Sequence, residues 1–219
     1  MKLDLIGKRV VVVGAAKSGQ AAARLAQRLN AKVKVSDAAP EETVDEDFRR
    51  WAALQGISME FGGHTRSFIE DSDLLLVSPG VRIDAQPLRW AREKNIAIWS
   101  EIELAFRVCS KPVIAITGSN GKTTVSTLIA EMIDHSGKKA ILCGNVGTPF
   151  SDYVLDAPNA DYFVLELSSF QLETIKTFRP YVAVFLNFSQ NHLDRHRNLE
   201  EYFIAKKKIF ENQTDKDFA

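Results

Sequence analysis

The sequence predicts an α/β fold resting on parallel sheets and divided into two successive units. Three observations support this. Short β-branched runs alternate with helical patterns along the chain, the arrangement that crossover connections between parallel strands produce. Glycine-bearing turns lead from strand to helix at residues 14–19 and again at 117–122. Between the halves, Ser110-Lys111-Pro112 breaks the pattern, because proline lacks a backbone donor and disfavours helix in the residue before it. The expected units are residues 1–110 and 111–219.

The elements follow in order. An arginine and four valines at 9–13 read as a strand, 18–29 as a helix, and 32–36, with valine at alternate positions, as a strand again. The apolar run 74–77 is a further strand, closed by Ser78-Pro79-Gly80. Residues 86–94 have a helical pattern, 96–99 an extended one, and helical 101–107 runs into the proline break. In the second unit the expected strands are 113–117, 140–143, 162–165 and 182–186, and the expected helices 122–136 and 199–212. Four strands is near the low end for an open sheet. Asp217-Phe218-Ala219 reads as a charged turn feeding another strand, so the chain is expected to be part of a longer protein, with the second unit incomplete.

Composition excludes several classes. Lys and Arg number 28, as do Asp and Glu, so no net charge draws the chain to nucleic acid or a membrane surface. Hydrophobic residues are 45% and charged residues 26%, the balance of a soluble globular protein. The longest apolar runs, such as 181–186, are too short to span a bilayer, and charge returns too early at the N-terminus for a signal peptide. Cys109 and Cys143 make no disulfide framework and have no metal-type spacing. The expectation is a cytoplasmic protein with neither nucleic acid nor membrane as partner.

The first glycine turn is Gly14-Ala15-Ala16-Lys17-Ser18-Gly19, and Asp37 ends the next strand at about the spacing of a ribose-binding acid in a Rossmann-like unit. The glycine that would let backbone approach a pyrophosphate is replaced by Ala16. This disfavours a nicotinamide or flavin and leaves two readings, another nucleotide or a tight turn without ligand. The second turn, Gly118-Ser119-Asn120-Gly121-Lys122-Thr123-Thr124, is of P-loop type. Its N–H groups and helix dipole suit a triphosphate, Lys122 would reach the outer phosphates, and the Thr123 hydroxyl would ligate Mg²⁺. The usual Gly-x-x-x-x-Gly-Lys needs glycine at 116, where this chain has Ile116, so the loop is a shortened form.

Downstream, Glu166 stands at the end of an apolar strand, where α/β ligands sit, and is expected to hold metal or phosphate. His192 and His196, with Asp194 and Arg195, form a polar cluster after the last strand. Of Lys206-Lys207-Lys208, Lys206 has Tyr202 and Phe203 one helical turn before it and Ile209 and Phe210 one turn after. It is the one expected to face inward, with a lowered pKa and an amine able to take up CO₂ as a carbamate.

Together these segments resemble the Mur ligase family of peptidoglycan synthesis. The resemblance rests on Thr117-Gly118-Ser119-Asn120-Gly121-Lys122-Thr123, Gly144-Asn145-Val146-Gly147, His192-Leu193-Asp194-Arg195-His196, Ala205-Lys206, and the first glycine turn with Ser78-Pro79-Gly80. Glu166-Leu167-Ser168-Ser169-Phe170-Gln171-Leu172-Glu173 looks like the signature of the branch that adds D-glutamate to UDP-N-acetylmuramoyl-L-alanine. The resemblance implies a Rossmann-like unit holding the UDP substrate through Lys17, Ser18, Asp37 and Gly80. It implies a P-loop-type unit holding ATP through residues 118–124, with Asn145 and Ser168 on the muramoyl-alanine part. Thr123 and Glu166 would hold one Mg²⁺, His192 and a carbamylated Lys206 a second, and Lys122, His192 and Lys206 would serve catalysis. It further implies a cytoplasmic monomer serving cell-wall biogenesis, and through it cell shape, cell cycle and division. Asn191 departs from the acid common before the histidine. A C-terminal amino-acid-binding domain would lie beyond residue 219, so the chain alone is expected to bind nucleotide weakly and be inactive. The alternatives are a folylpolyglutamate-type ligase, a non-catalytic UDP-sugar-binding module and, from the first turn alone, an NAD-dependent oxidoreductase.

Overall fold

The computed structural model describes residues 3–190 and 195–219. The first unit runs β1 (Arg9–Val13), α1 (Lys17–Arg28), β2 (Lys32–Ser36), α2 (Glu46–Leu54), β3 (Ser58–Glu60), α3 (Arg66–Glu70), β4 (Leu74–Val77), α4 (Gln86–Glu93), β5 (Ala97–Ser100) and α5 (Glu101–Val108). Its strands are all parallel in the order β3-β2-β1-β4-β5, so the chain reverses direction between β1 and β4. The second unit runs β6 (Val113–Thr117), α6 (Lys122–His135), β7 (Ala140–Gly144), α7 (Phe150–Tyr153), β8 (Tyr162–Glu166), α8 (Ser169–Leu172), β9 (Val182–Phe185) and α9 (Leu199–Lys207). Its sheet is also parallel, in the order β7-β8-β6-β9. In such sheets ligands bind beyond the carboxyl ends of the strands, where the order reverses.

Burial on both faces explains the continuous apolar strands. Val10 and Val12 enter one core while Val11 and Val13 enter another, and all four are fully buried. The sequence expectation stands for β1, β2, β4 and β6 at their bounds, and for the other predicted strands within a residue or two. The helix expected over 199–212 ends instead at Lys207 and tightens into a 3₁₀ turn over Lys208–Phe210. The C-terminal turn does lead to strand-like pairing. Thr214 donates to Asp217, and Phe218 bridges Val182 in parallel. Gly19 serves close packing, since a Cβ there would lie 1.8 Å from the Gly14 carbonyl oxygen.

One apolar cluster runs through both units, from Val10 and Val12 across Ile102, Leu104 and Ala105 of α5 to Val113, Phe163 and Phe178. At this seam α5 presents Glu103, fully buried, to the loop before β9. Its carboxylate accepts the N–H groups of Lys176 at 2.9 Å and of Thr177 and Phe178 at 3.0 Å, and the Thr177 hydroxyl at 2.7 Å. Arg107 Nε adds a charge-assisted bond at 2.7 Å while its guanidinium lies over the Trp99 ring. Burial alone would raise the Glu103 pKa, but these donors outweigh it and hold the carboxyl below its usual 4.5.

Removing this carboxylate strands its donors in an apolar seam. Glu103→Ala is expected to lose about 3 kcal/mol in urea denaturation near neutral pH. A depressed folded pKa stabilises above the unfolded carboxyl value and is lost as pH falls through the folded one. The wild-type advantage should therefore shrink below about pH 4, measured as the difference in denaturation midpoints.

Candidate functional site

At the carboxyl edge of the second sheet, β6 ends at Thr117 and the turn 118–121 swings into α6, with Gly121 at its N-cap. Asn187, just beyond β9, braces the turn. Its backbone carbonyl takes the Ser119 N–H at 3.1 Å, and its side chain takes the Asn120 N–H at 3.0 Å and returns a bond to the Asn120 carbonyl. Two N–H groups that the sequence offered to phosphate are thus already engaged. The first-turn N–H groups of α6 have no helix carbonyl to take them and remain for an anion. Lys122 Nζ folds back onto the carbonyls of Gly118 at 3.0 Å and Ser119 at 3.1 Å.

Glu166 closes β8 with only 2% of its surface exposed. Its Oε2 accepts the Thr123 hydroxyl at 2.7 Å and its Oε1 accepts Asn145 Nδ2 at 2.8 Å. The backbone fixes this meeting, since Asn145 N–H donates to the Glu166 carbonyl at 2.8 Å. Gly144, at φ +108°, stands so close that a Cβ would lie 2.5 Å from the Glu166 carbonyl oxygen. Hydroxyl and carboxylate oxygens side by side at a strand end are hard donors of the kind Mg²⁺ takes, usually keeping several waters. No group of three or more His, Cys, Asp or Glu gathers to hold a metal among the described residues.

Lys206 on α9 faces inward as the helical spacing predicts, at 1% exposure. Its Nζ donates to the Gly118 carbonyl at 2.8 Å and to Thr117 Oγ1 at 3.4 Å, and lies 4.8 Å from the centre of the Tyr202 ring. Burial, and then the neighbouring Lys122 charge, pull its pKa down to about 8 against the opposing pull of Glu166.

The first sheet ends in a crevice of about 360 Å³ lined by Gly14, Ala16, Asp37, His64, Ser78 and Gly80 among others. Asp37 is not simply free for a ribose. Its Oδ2 takes the Ala15 N–H at 2.5 Å and its Oδ1 the Ala39 N–H at 2.8 Å, tying the loops after β1 and β2 together. Lys17, expected beside Asp37, instead lines a separate cleft between α1 and residues 147–152. Ser18 lies in the first turn of α1. Arg195 spans the units, donating to the carbonyls of Pro79, Gly80 and Val81.

The structure thus brings together Gly118, Ser119, Asn120, Gly121, Lys122, Thr123, Glu166, Asn145 and Lys206, with Thr124 in the same first turn of α6. Ser168 lies two residues past Glu166 as a helix cap, its Oγ accepting the Gln171 N–H while Gln171 returns a bond to its backbone. His196 is a buried tie rather than an exposed ligand. It is 2.9 Å from Ser169 Oγ, 3.7 Å from Glu173 and stacked on Phe170. Asn191 and His192 lie outside the described residues. The sequence reading missed His64, Ser36 and Glu60, which meet only because β2 and β3 pair.

Comparisons with known proteins cover both units. The model described as Mur ligase MurD-like, N-terminal domain, matches residues 8–100, and that of the Mur ligase middle domain matches residues 116–219. The UDP-N-acetylmuramoylalanine–D-glutamate ligase of Koribacter versatilis is 46% identical over 99% of this chain and 48% of its own length. That of Streptococcus thermophilus is 43% identical over 98% and 48%. The chain spans about half the length of the curated relatives it matches. Among solved structures, the UDP-N-acetylmuramate:L-alanyl-gamma-D-glutamyl-meso-diaminopimelate ligase from Neisseria meningitides covers 96% of this chain and 70% of its own, at 16% identity and TM-score 0.60. The UDP-N-acetylmuramate–alanine ligase of Thermotoga maritima covers 94% and 47%, at 23% identity and TM-score 0.53. These two likenesses concern the fold.

The clearance at Gly144 is open to direct test. Gly144→Ala should cost roughly 2–4 kcal/mol in chemical denaturation, through the strained φ and the clash with the Glu166 backbone. A loss under about 0.5 kcal/mol, the range of an ordinary surface change, would contradict this packing.

Proposed function

The chain belongs to the Mur ligase family, and from that premise we propose that it carries the UDP-substrate and ATP-binding parts of a ligase adding D-glutamate to UDP-N-acetylmuramoyl-L-alanine. The observation that carries the ligase reading is the convergence of Lys122, Thr123, Glu166 and Lys206 on one strand edge. The choice of D-glutamate follows the names of the relatives and the Glu166-to-Glu173 segment.

The residues divide the work as follows. Lys122 leaves its carbonyls for the β- and γ-phosphates, and the α6 N-terminus holds the phosphate chain. Thr123 and Glu166 would hold one Mg²⁺, and His192 with a carbamylated Lys206 a second. Bound there, Mg²⁺ would supply charge stabilisation for the transferred phosphoryl group. Asn145, already on Glu166, turns its amide to the muramoyl-alanine portion, and Ser168 joins it by sharing its cap hydroxyl. Ser18, Asp37 and Gly80 line the uridine side, with Lys17 reaching the substrate from the adjoining cleft. The terminal carboxylate attacks the γ-phosphorus, giving an acyl phosphate and ADP. The neutral D-glutamate amine then attacks the acyl carbon and gives up a proton to solvent, and the acyl C–O bond breaks to release phosphate as the amide forms. No helix among the described residues is long and apolar enough to cross a membrane. Our reading, which follows the family resemblance, is a cytoplasmic monomer in cell-wall synthesis and through it in cell shape and division.

In the full-length protein, phosphate release should require UDP-N-acetylmuramoyl-L-alanine, D-glutamate and Mg·ATP together, and Lys122→Ala should abolish it. Equal turnover with L-lysine or meso-diaminopimelate would remove the substrate assignment. The carbamate has its own readout. With ¹³C-bicarbonate near pH 8, a carbamate carbon signal should appear in the wild-type NMR spectrum and be missing from Lys206→Arg.

A further inference from the structure

We propose that His64 reads the base of the nucleotide held by the first sheet, accepting the imide N3–H of uracil at its Nε2. This rests on the UDP reading above and assigns it a specificity-determining residue. The argument begins at Ser36, fully buried at the end of β2, whose Oγ lies 2.6 Å from Glu60 Oε1 and 2.6 Å from His64 Nδ1. A hydroxyl has one hydrogen to give, and the Glu60 carboxylate can only accept. Glu60 also collects the Thr65 N–H at 3.1 Å and the Thr65 hydroxyl at 2.9 Å, as an acceptor would. The Ser36 hydrogen therefore goes to Glu60, and Ser36 Oγ must accept from Nδ1–H. That relay fixes the neutral tautomer and leaves Nε2 as a bare acceptor. Burial holds the His64 pKa below its usual 6.5, against the opposing charges of Glu60 and Asp37, so the ring is neutral at pH 7. No hydrogen bond to Nε2 occurs among the described residues, and His64 lines the crevice shared with Asp37 and Gly80.

Topology says which part of a nucleotide reaches it. The strands lie side by side as β1, β2, β3, moving outward. Beyond their ends come, in turn, the glycine turn with the α1 N-terminus, then Asp37, then His64. A nucleotide with phosphate at the helix end and ribose by Asp37 places its base beyond β3. Uracil presents a donor at N3, whereas cytosine presents a bare acceptor there, which Nε2 repels. The crevice thereby selects uridine over cytidine without any charged contact to the base.

Calorimetric titration of the chain with UDP, CDP and N3-methyl-UDP tests this. Wild type should bind UDP at least about tenfold more tightly than either analogue, the worth of one buried hydrogen bond. His64→Leu should bring UDP down to the CDP level, while His64→Gln, whose amide oxygen still accepts, should keep most of the preference. Equal binding of UDP and N3-methyl-UDP by wild type, or an undiminished preference in His64→Leu, overturns the assignment while leaving the UDP reading intact. Failure of wild type to bind any of the three removes that reading and the base assignment with it.

Discussion

The placement of the two sheets depends on one buried carboxylate. Glu103 gathers the N–H groups of three successive residues, a hydroxyl and an arginine, and so fixes α5 of the first unit against the loop that precedes β9 of the second. Its neighbour Glu101 shows what the donors are worth. Glu101 is as deeply buried two residues earlier on the same helix, yet one oxygen takes only the Ser151 N–H at 2.6 Å and the other has no partner among the described residues. Burial then dominates and pushes its pKa up to about 7. Both side chains are buried yet shift in opposite directions, and the extra donors, Arg107 among them, go with the lowered value of Glu103. Arg195 of the second unit also ties the two together, donating to the carbonyls of the Pro79–Val81 turn of the first, where Gly80 and Val81 line the crevice.

The carboxyl edge of the second sheet concentrates positive charge around one carbonyl. Lys122 and Lys206 come from helices far apart in sequence, yet both donate to the Gly118 oxygen. Their mutual repulsion contributes to the lowered Lys206 pKa, while the facing carboxylate Glu166 is itself occupied by Thr123 and Asn145. In the proposed reading, a phosphate chain entering here would exchange two bonds from Lys122 to neutral carbonyls for bonds to an anion, in which both partners are charged. Asn187 takes the Ser119 and Asn120 N–H groups, bonds that do not involve Lys122 and so would survive its change of partner.

Much of this was legible in the sequence because it depends on short-range rules. Buried parallel strands announce themselves as valine and leucine runs, and the inward face of Lys206 follows from helical spacing alone. What escaped is either too short for a period or made by pairing. The helices α3, α7 and α8 span only four or five residues and cannot show a 3.6-residue repeat. The helix α2 is the exception, passed over although Asp45 caps it through the Phe48 N–H and Phe48, Trp51 and Ala52 repeat at helical spacing. The strand β3 is three residues long, and without it the Glu60–Ser36–His64 relay has no reason to exist. Asp37 was legible as a strand-end acid, but its bonds to Ala15 and Ala39 depend on the two loops having met.

The two glycine turns use one device to different ends, and the difference lies in what the neighbouring acid grips. Asp37 accepts two backbone N–H groups, which cannot leave without unfolding the loops they belong to. It is a fixed part of the crevice wall, and in the proposed reading it can stand beside a ribose without changing its backbone partners. Glu166 accepts a threonine hydroxyl and an asparagine amide, side-chain groups that can rotate away at small cost. Its oxygens can therefore pass to a cation and back without disturbing the sheet. An acid gripped by backbone suits a site that selects, and an acid gripped by side chains suits a site that exchanges ligands during a reaction. That physical difference supports the proposed division of labour, in which the first unit would read the substrate and the second would host the bond-making steps.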